Sequence, residues 1–247
     1  MSVPTNHTTA PPDGPSRHDV WKMFDRIATR YDFLNRMLSF RQDVIWRKRM
    51  ARYLPDGERL RVLDVATGTA DQIFSLLRHA PRVDKAVGVD MAEKMLEVGR
   101  AKATERGLTD RVTLRTGDAA RIPEPDGLYD AVTISFGIRN TVDVVQALGE
   151  MRRVLRPGGR VLVLEFSLPG FAPFRAAYLF YLRHILPVLG GWLSGDRDAY
   201  RYLNVTVETF PYGCAFCDLM TKAGLVRVID HPLTFGIATI YQGDAPP

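Results

Sequence analysis

Three acidic residues close short apolar runs, at spacings that suit a ligand carrying hydroxyls and amines. Leu63 to Asp71 reads LDVATGTAD, an apolar run entering a glycine-bearing turn that opens a helical pattern. Gly68 lets the backbone approach a ligand closely, and the N–H groups of such a turn face outward. Asp90 lies 22 residues beyond Gly68 and ends the next run, KAVGVD. A carboxylate there can accept two hydrogen bonds from a ribose diol. Asp118, within Gly117-Asp118-Ala119, follows a third run and is placed to accept from an adenine amine. Taken alone, it reads equally well as a helix N-cap.

The turn does not match the dinucleotide pattern G-x-G-x-x-G: it has one glycine and then Asp71. An acidic residue there suits a cationic ligand better than a pyrophosphate. S-adenosylmethionine is such a ligand, with a sulfonium, an ammonium and a ribose diol. Arg139 and Asn140 follow the fourth apolar run, beside that expected site. Arg139 could stabilise a phenolate or polarise a water, but it stays protonated and is a poor direct base. Asn140 could hold a ring oxygen. The structural alternative pairs Arg139 with Asp143 or a backbone carbonyl. Tyr31, Asn35 and Tyr200 are weaker candidates for a substrate pocket. No metal site is expected. Cys214 and Cys217 form a lone C-x-x-C that lacks further ligands, and with Phe210 they fall on one helical face, which reads as core.

The elements that position these residues are legible as alternation. Strand-like runs stand at 61–66, 85–90, 111–118, 129–136, 160–167, 225–230 and 236–242, with helical patterns at 71–80, 91–106, 141–155 and 209–223. This predicts an α/β fold, a mostly parallel sheet with helices on both faces. The last two runs are joined by HPLTF and should pair antiparallel. Residues 1–17 read as a disordered tail, and 18–247 as one domain with a helical cap (20–54) and an inserted lid-like segment (171–206). Within that insert, Ala176 to Leu193 is apolar but broken by Arg183, His184, Pro187 and Gly190-Gly191. It is either buried helix or an apolar lid that meets a prenyl tail or a membrane surface. The basic run Arg47-Lys48-Arg49 with Arg52 reads first as a solvated helix face.

Composition bounds the rest. The 247 residues are 46% hydrophobic and 25% charged, with a net charge of +5, which excludes disordered and fibrous classes and gives no reason to expect nucleic acid. Two cysteines point to a reducing compartment. Neither a secretory h-region nor a spanning apolar stretch is present.

Several motifs together resemble the ubiquinone/menaquinone biosynthesis C-methyltransferase family. They are LDVATGTAD, VDMAEKML, GDAARIP, SFGIRN, LRPGGRVLVLEFSLP and SGDRDAYRYL, flanked by YDFLNRMLSF and FPYGCAFCDLMTKAGL. The likeness spans Trp21 to Tyr241. It implies a Rossmann-like class I methyltransferase with a seven-stranded sheet, S-adenosylmethionine as cofactor, and a polyprenylated quinol methylated on a ring carbon. Conversion of demethylmenaquinol to menaquinol is the leading expectation. Carried over by motif, cofactor contacts fall on Thr69, Asp90, Asp118, Ala119 and Ser135. The resemblance also implies a cytoplasmic protein, peripheral at the inner membrane face, with oligomerisation open. Two departures stand out. Ala70 replaces a glycine often found in the turn, so it should hold a negative φ or displace the ligand's tail. Asp43, in RQDVIWR, stands where many relatives have histidine; both changes lean toward the menaquinone type. The competing readings are a methyltransferase for another small phenolic or apolar substrate, and a non-catalytic prenyl-lipid-binding protein of the same fold.

Overall fold

The structure, a computed structural model, describes residues 19–188 and 197–247, the side chains of 29 and 197–201 excepted. The expected tail at 1–17, Trp192 and the side chain of Tyr200 lie outside the described residues. Seven strands form one sheet: β1 (Leu60–Val65), β2 (Val83–Asp90), β3 (Val112–Thr116), β4 (Tyr129–Ser135), β5 (Leu155–Phe166), β6 (Val226–Leu233) and β7 (Ala238–Asp244). Their order is β3-β2-β1-β4-β5-β7-β6, with only β7 antiparallel to its neighbours. The order reverses between β1 and β4, and ligands bind outside the carboxyl ends of strands at such a switch.

Side chains alternate across this sheet and feed two cores. Leu60 and Val62 of β1 join Trp46, Ile73 and Leu76 on one face. Leu63 and Val65 join Leu148, Met151 and Phe216 on the other. The covering helices are α2 (Gln42–Met50) and α3 (Asp71–His79) on the first face, and α5 (Val144–Arg153) and α8 (Cys214–Lys222) on the second. Each fully buried aliphatic or aromatic side chain stabilises by about 1.5–3 kcal/mol. α4 (Glu93–Glu105) comes close to the glycine turn because of Gly99, where a Cβ would stand 3.3 Å from the Thr69 carbonyl carbon and 2.7 Å from Leu114.

A third layer crosses the carboxyl ends of the strands. It contains α1 (Val20–Leu38), α6 (Ala172–Phe180) and α7 (Arg197–Thr209), which share a small core with Met23, Leu34, Tyr178, Leu182 and Tyr202. α6 runs on through a π-helical turn, Tyr181–Ile185, into residues 186–188. Pro187 therefore does not end the helix where the sequence suggested. The π turn precedes the proline, whose missing N–H and bulky ring disturb the carbonyl four residues back. From this long segment only Tyr178, Leu182 and Leu186 are buried, a single narrow stripe.

Two expectations need correction, and a third residue proves to have partners within the protein. Ala70 is left-handed at φ 63°, not negative. That conformation costs about 1–2 kcal/mol for a residue with a Cβ. It is held by burial and by the Ala70 N–H donating to the Thr67 carbonyl at 2.9 Å. The helical pattern at 209–223 is not one helix, because Gly213 at φ 59° separates α7 from α8 and resets the phase. Phe216 and Met220 are consequently the buried pair, while Cys214 is exposed and Cys217 half-buried. Asp71, read as a partner for a cationic ligand, is also paired with two protein cations. Lys102 Nζ lies 2.7 Å from its Oδ1 and Arg36 3.0 Å from its Oδ2. Burial alone would raise the Asp71 carboxyl, but Lys102, Arg47 and Arg36 hold it below its ordinary value.

Lys102 also pairs with Asp32 of α1 and donates to the Thr69 carbonyl at 3.2 Å, so one ammonium fastens α1 and α3 to α4. Exposed pairs contribute under about 1 kcal/mol and removing one partner of a buried pair costs about 3–5 kcal/mol. With side chains 15–18% exposed, Lys102→Met should cost about 2 kcal/mol in urea unfolding. It should also open α1 to limited proteolysis; a variant that is destabilised with α1 still protected would contradict the fastening role.

Candidate active site

Three adjoining cavities lie at the carboxyl ends of β1, β2 and β4. The largest, about 150 Å³, is lined by Gly68, Asp90, Asp118, Ala119 and Ser135, with Trp21 of α1 as cover. Five of the six expected cofactor residues are thus brought together. Gly68 is left-handed at φ 55°, and nothing stands within 4 Å of where its Cβ would be, so the backbone is bare toward open space. Asp90 Oδ2 accepts the Gly68 N–H at 2.7 Å and Oδ1 accepts the Ala92 N–H at 2.9 Å. Each oxygen keeps a further lone pair for a ligand hydroxyl. Burial raises the Asp90 carboxyl, and the backbone donors oppose that rise. Asp118 is exposed, and its Oδ1 accepts the Ala120 N–H at 2.9 Å. Ser135 donates to Gln72 Oε1 at 3.0 Å.

A second cavity, about 80 Å³, shares Phe24, Tyr31 and Phe136 with the first. Its polar lining comes from Asn35, Asp43, Arg47 and Arg139, and its apolar lining includes Leu34 and Phe166. Arg139 is buried and donates to the Phe136 carbonyl at 2.7 Å and to Glu165 Oε1 at 2.6 Å. Its partner is therefore Glu165 of β5, not Asp143, which instead caps α5 by accepting the Gln146 N–H. Arg139 Nε, Arg47 Nε and Glu165 Oε2 have no hydrogen-bond partner. Asp43 is buried and accepts the Ser39 hydroxyl at 2.8 Å. Burial pushes the Tyr31 hydroxyl above its ordinary value, against Arg47, Asn35 and Arg139, so it stays protonated at neutral pH. Asn140 lines the first cavity and its Oδ1 accepts the Tyr202 hydroxyl at 3.2 Å. The structure thus separates Arg139 from Asn140 by cavity. The insert reaches the second cavity through Tyr202 and Leu203 of α7, and α6 supplies no lining residue.

A third, small cavity of about 20 Å³ holds Asp32, Asp64, Thr69 and Asp71. Thr69 is spent on Asp32, to which its hydroxyl donates at 2.6 Å. Asp64 was not singled out from sequence, although an acid inside the apolar run LDV was its signal. It accepts from Thr67 at 2.7 Å and Thr133 at 2.5 Å. Burial pushes its carboxyl up to about 6, against those two bonds.

A switch-point crevice with acceptors at the ends of β1, β2 and β3 and an antiparallel β7 defines the class: the fold is that of the S-adenosylmethionine-dependent methyltransferases. A solved S-adenosylmethionine-dependent methyltransferase from Thermotoga maritima, a possible histamine N-methyltransferase, superposes with a TM-score of 0.64 at 19% identity, covering 91% of this chain and 99% of its own. Another, from Methanococcus maripaludis, gives 0.63 at 16% identity over 91% and 94%. Within that class, the sequence model of the ubiE/COQ5 methyltransferase family matches residues 14–244. The chain belongs to this family, and it is an S-adenosylmethionine-dependent C-methyltransferase. It is 47% identical to the demethylmenaquinone methyltransferase of Thermus thermophilus over 91% of this chain and 100% of that one. It is 46% identical to the ubiquinone/menaquinone biosynthesis C-methyltransferase UbiE of Geobacter sulfurreducens over 90% and 86%.

Asp64 makes a pH prediction. A carboxyl raised in the folded state binds its proton more tightly there than in the unfolded chain. Its contribution is full below the ordinary value of 3.8 and is lost as pH rises through about 6. The difference amounts to about 3 kcal/mol at neutral pH. Relative to Asp64→Asn, the ligand-free protein should lose thermal stability between pH 5 and pH 7 (about two units spanning the titration); a wild type that gains would contradict the raised carboxyl.

Proposed function

We propose that this chain methylates a ring carbon of a polyprenylated quinol, with demethylmenaquinol as substrate. What supports the reading is the pair of adjoining cavities, one carrying acceptors for a ribose and an adenine, the other apolar and bearing two guanidinium groups. The names of the Thermus and Geobacter relatives point the same way.

In this reading Asp90 accepts the ribose hydroxyls, Asp118 and Ala119 meet the adenine, and Gly68 gives the bare backbone over which the ligand runs. Asp64, Thr69 and Ser135 face the amino-acid end, where the third cavity has room for one small cationic head. When bound, S-adenosylmethionine supplies a methyl group already activated by its sulfonium. The protein's task is then to align a ring carbon and to make it nucleophilic.

A quinol carbon becomes nucleophilic when the neighbouring hydroxyl loses its proton. Arg139, held rigid by Glu165 and the Phe136 carbonyl, and Arg47 beside it supply fixed positive charge for the resulting phenolate. Neither can take the proton. Tyr31 stays protonated and serves as a donor to a ring oxygen. Asp43 is the one carboxylate among the described residues lining this cavity, and it is the proton acceptor in this reading. Asn140, in the first cavity and tied to Tyr202, orients the wall between the two ligands. The site lies at the cytoplasmic face of a membrane, where such a quinol resides.

Labelled S-adenosylmethionine with a demethylated quinol tests this directly. Methyl on a ring carbon supports it, methyl on oxygen of simple phenols favours the small-phenol reading, and cofactor binding without turnover favours a lipid-binding protein. Asp90→Ala loses two charge-assisted hydrogen bonds of about 1.5–3 kcal/mol each, so calorimetry should find the cofactor bound at least about tenfold more weakly. Asp43→Asn should lower kcat by about a hundredfold or more with KM little changed. An unaltered single-turnover rate would remove Asp43 from the chemistry.

A further inference from the structure

The most exposed aromatic rings of the described residues stand on one surface. Phe40 is 74% exposed in the turn between α1 and α2, and Phe235 is 85% exposed in the turn between β6 and β7. Both sit on left-handed backbone, Phe40 at φ 51° followed by Arg41 at 61°, and Phe235 at φ 57° preceded by Thr234 at 46°. Neither turn is loose. The Arg41 N–H closes onto the Arg36 carbonyl, and Trp46 Nε1 donates to the Thr234 hydroxyl at 2.8 Å. Strained but pinned turns thus hold phenyl rings where they gain nothing from the protein core.

The helix α6 with its π turn joins the two. Phe235 lies 5.5 Å from Phe174, and Phe40 lies 6.1 Å from Tyr181, whose hydroxyl donates to the Leu38 carbonyl. Between and beside these contacts the same helix exposes Phe171, Phe180, Ile185 and Val188. Ser39, next to Phe40, lines the second cavity, so the apolar face borders the cavity's rim.

The unpaired charge of these segments has one sign. Segments 36–52, 171–188 and 233–237 together hold eight Lys or Arg and one carboxylate, Asp43. Asp43 is buried. Arg47 is buried too, Arg36 is paired with Asp71, and Arg183 with Glu208. Arg41, beside Phe40, and Arg175, on α6, are exposed and without a carboxylate partner among the described residues, whereas α2 carries Lys48, Arg49 and Arg52 on toward the amino ends of the strands, where Arg82 meets the Leu54 carbonyl.

We propose that this face docks on an anionic lipid bilayer, with Phe40, Phe235, Phe171 and Phe180 entering the interface and Arg41 and Arg175 resting at the headgroups. Apolar rings flanked by unpaired cations are what an anionic interface rewards. A second copy of the chain fits worse, because a two-fold contact sets the same unpaired cations against themselves. The purpose of the docking rests on the quinol reading: the prenyl tail stays in the bilayer while the ring enters beside Ser39. Its evidence does not rest on that reading.

The test is co-sedimentation of the full chain with phosphatidylcholine vesicles, with and without phosphatidylglycerol. Wild type should bind only the phosphatidylglycerol vesicles and release in high salt. Phe40→Ser with Phe235→Ser should weaken binding about tenfold or more, and Arg41→Glu with Arg175→Glu should abolish it. Both variants should keep the wild-type thermal midpoint, and should turn over a tail-free quinol at the wild-type rate. Vesicle binding unchanged in both variants would overturn the proposal. So would a wild type that ignores vesicles and instead dimerises through this face by light scattering. Vesicle binding that responds as expected, in a protein that methylates no quinol, would leave the docking face standing and remove the substrate reading.

Discussion

The ammonium of Lys102 is the point on which the cavities depend. α1 supplies wall to all three, through Trp21, Phe24, Tyr31 and Asp32, yet α1 is not part of the sheet's cores. Its small apolar contact with α4, around Ala28, Ala92 and Met95, and its share of the third-layer core are joined by two cations near the glycine turn. Arg36 of α1 meets Asp71, and Lys102 meets Asp32 while also holding Asp71 and the Thr69 carbonyl. The one ammonium thereby ties the helix, the glycine turn and the start of α3 to α4.

The site is accordingly poor in stabilising contacts of its own. Asp64 and Glu165 are buried carboxylates that burial raises. Arg47 and Arg139 each leave a buried Nε unpaired. Phe136, in the wall between the two large cavities, is left-handed at φ 59°. Polar groups without full partners and strained backbone destabilise an empty protein, and they cluster where ligand contacts offset the cost. The cores on the two faces of the sheet supply the stability that tolerates this.

Sequence reading reached the parts of the site that periodicity controls. Alternation of strand and helix fixes where β1, β2 and β3 end, and so Gly68, Asp90 and Asp118 were identifiable from their neighbours alone. It failed where the deciding contact comes from far along the chain. Lys102 meets Asp71 across 31 residues and Arg139 meets Glu165 across 26, and no local pattern signals either pair. Ala70 was misjudged because steric preference argues against a left-handed alanine, whereas burial of its methyl and the bond to Thr67 override that preference. Tyr202 of α7, which lines the second cavity, was not singled out, because its place is set by packing against α1 and α6. At 209–223 the break at Gly213 resets the helical phase and is invisible to a continuous periodic pattern.

The place of β7 in the sheet has a consequence for synthesis on the ribosome. β7 is inserted between β5 and β6 rather than added at an edge. Until it emerges, β5 presents an unpaired edge of apolar residues, open to pairing with another nascent chain. The Ser167 hydroxyl at the end of β5 waits 72 residues for Thr239, and Trp46 waits 188 for Thr234. These two bonds thus close as late events of translation, after β1 to β5 have left the exit tunnel. Chaperone protection of this chain is needed most in the interval between β5 and β7.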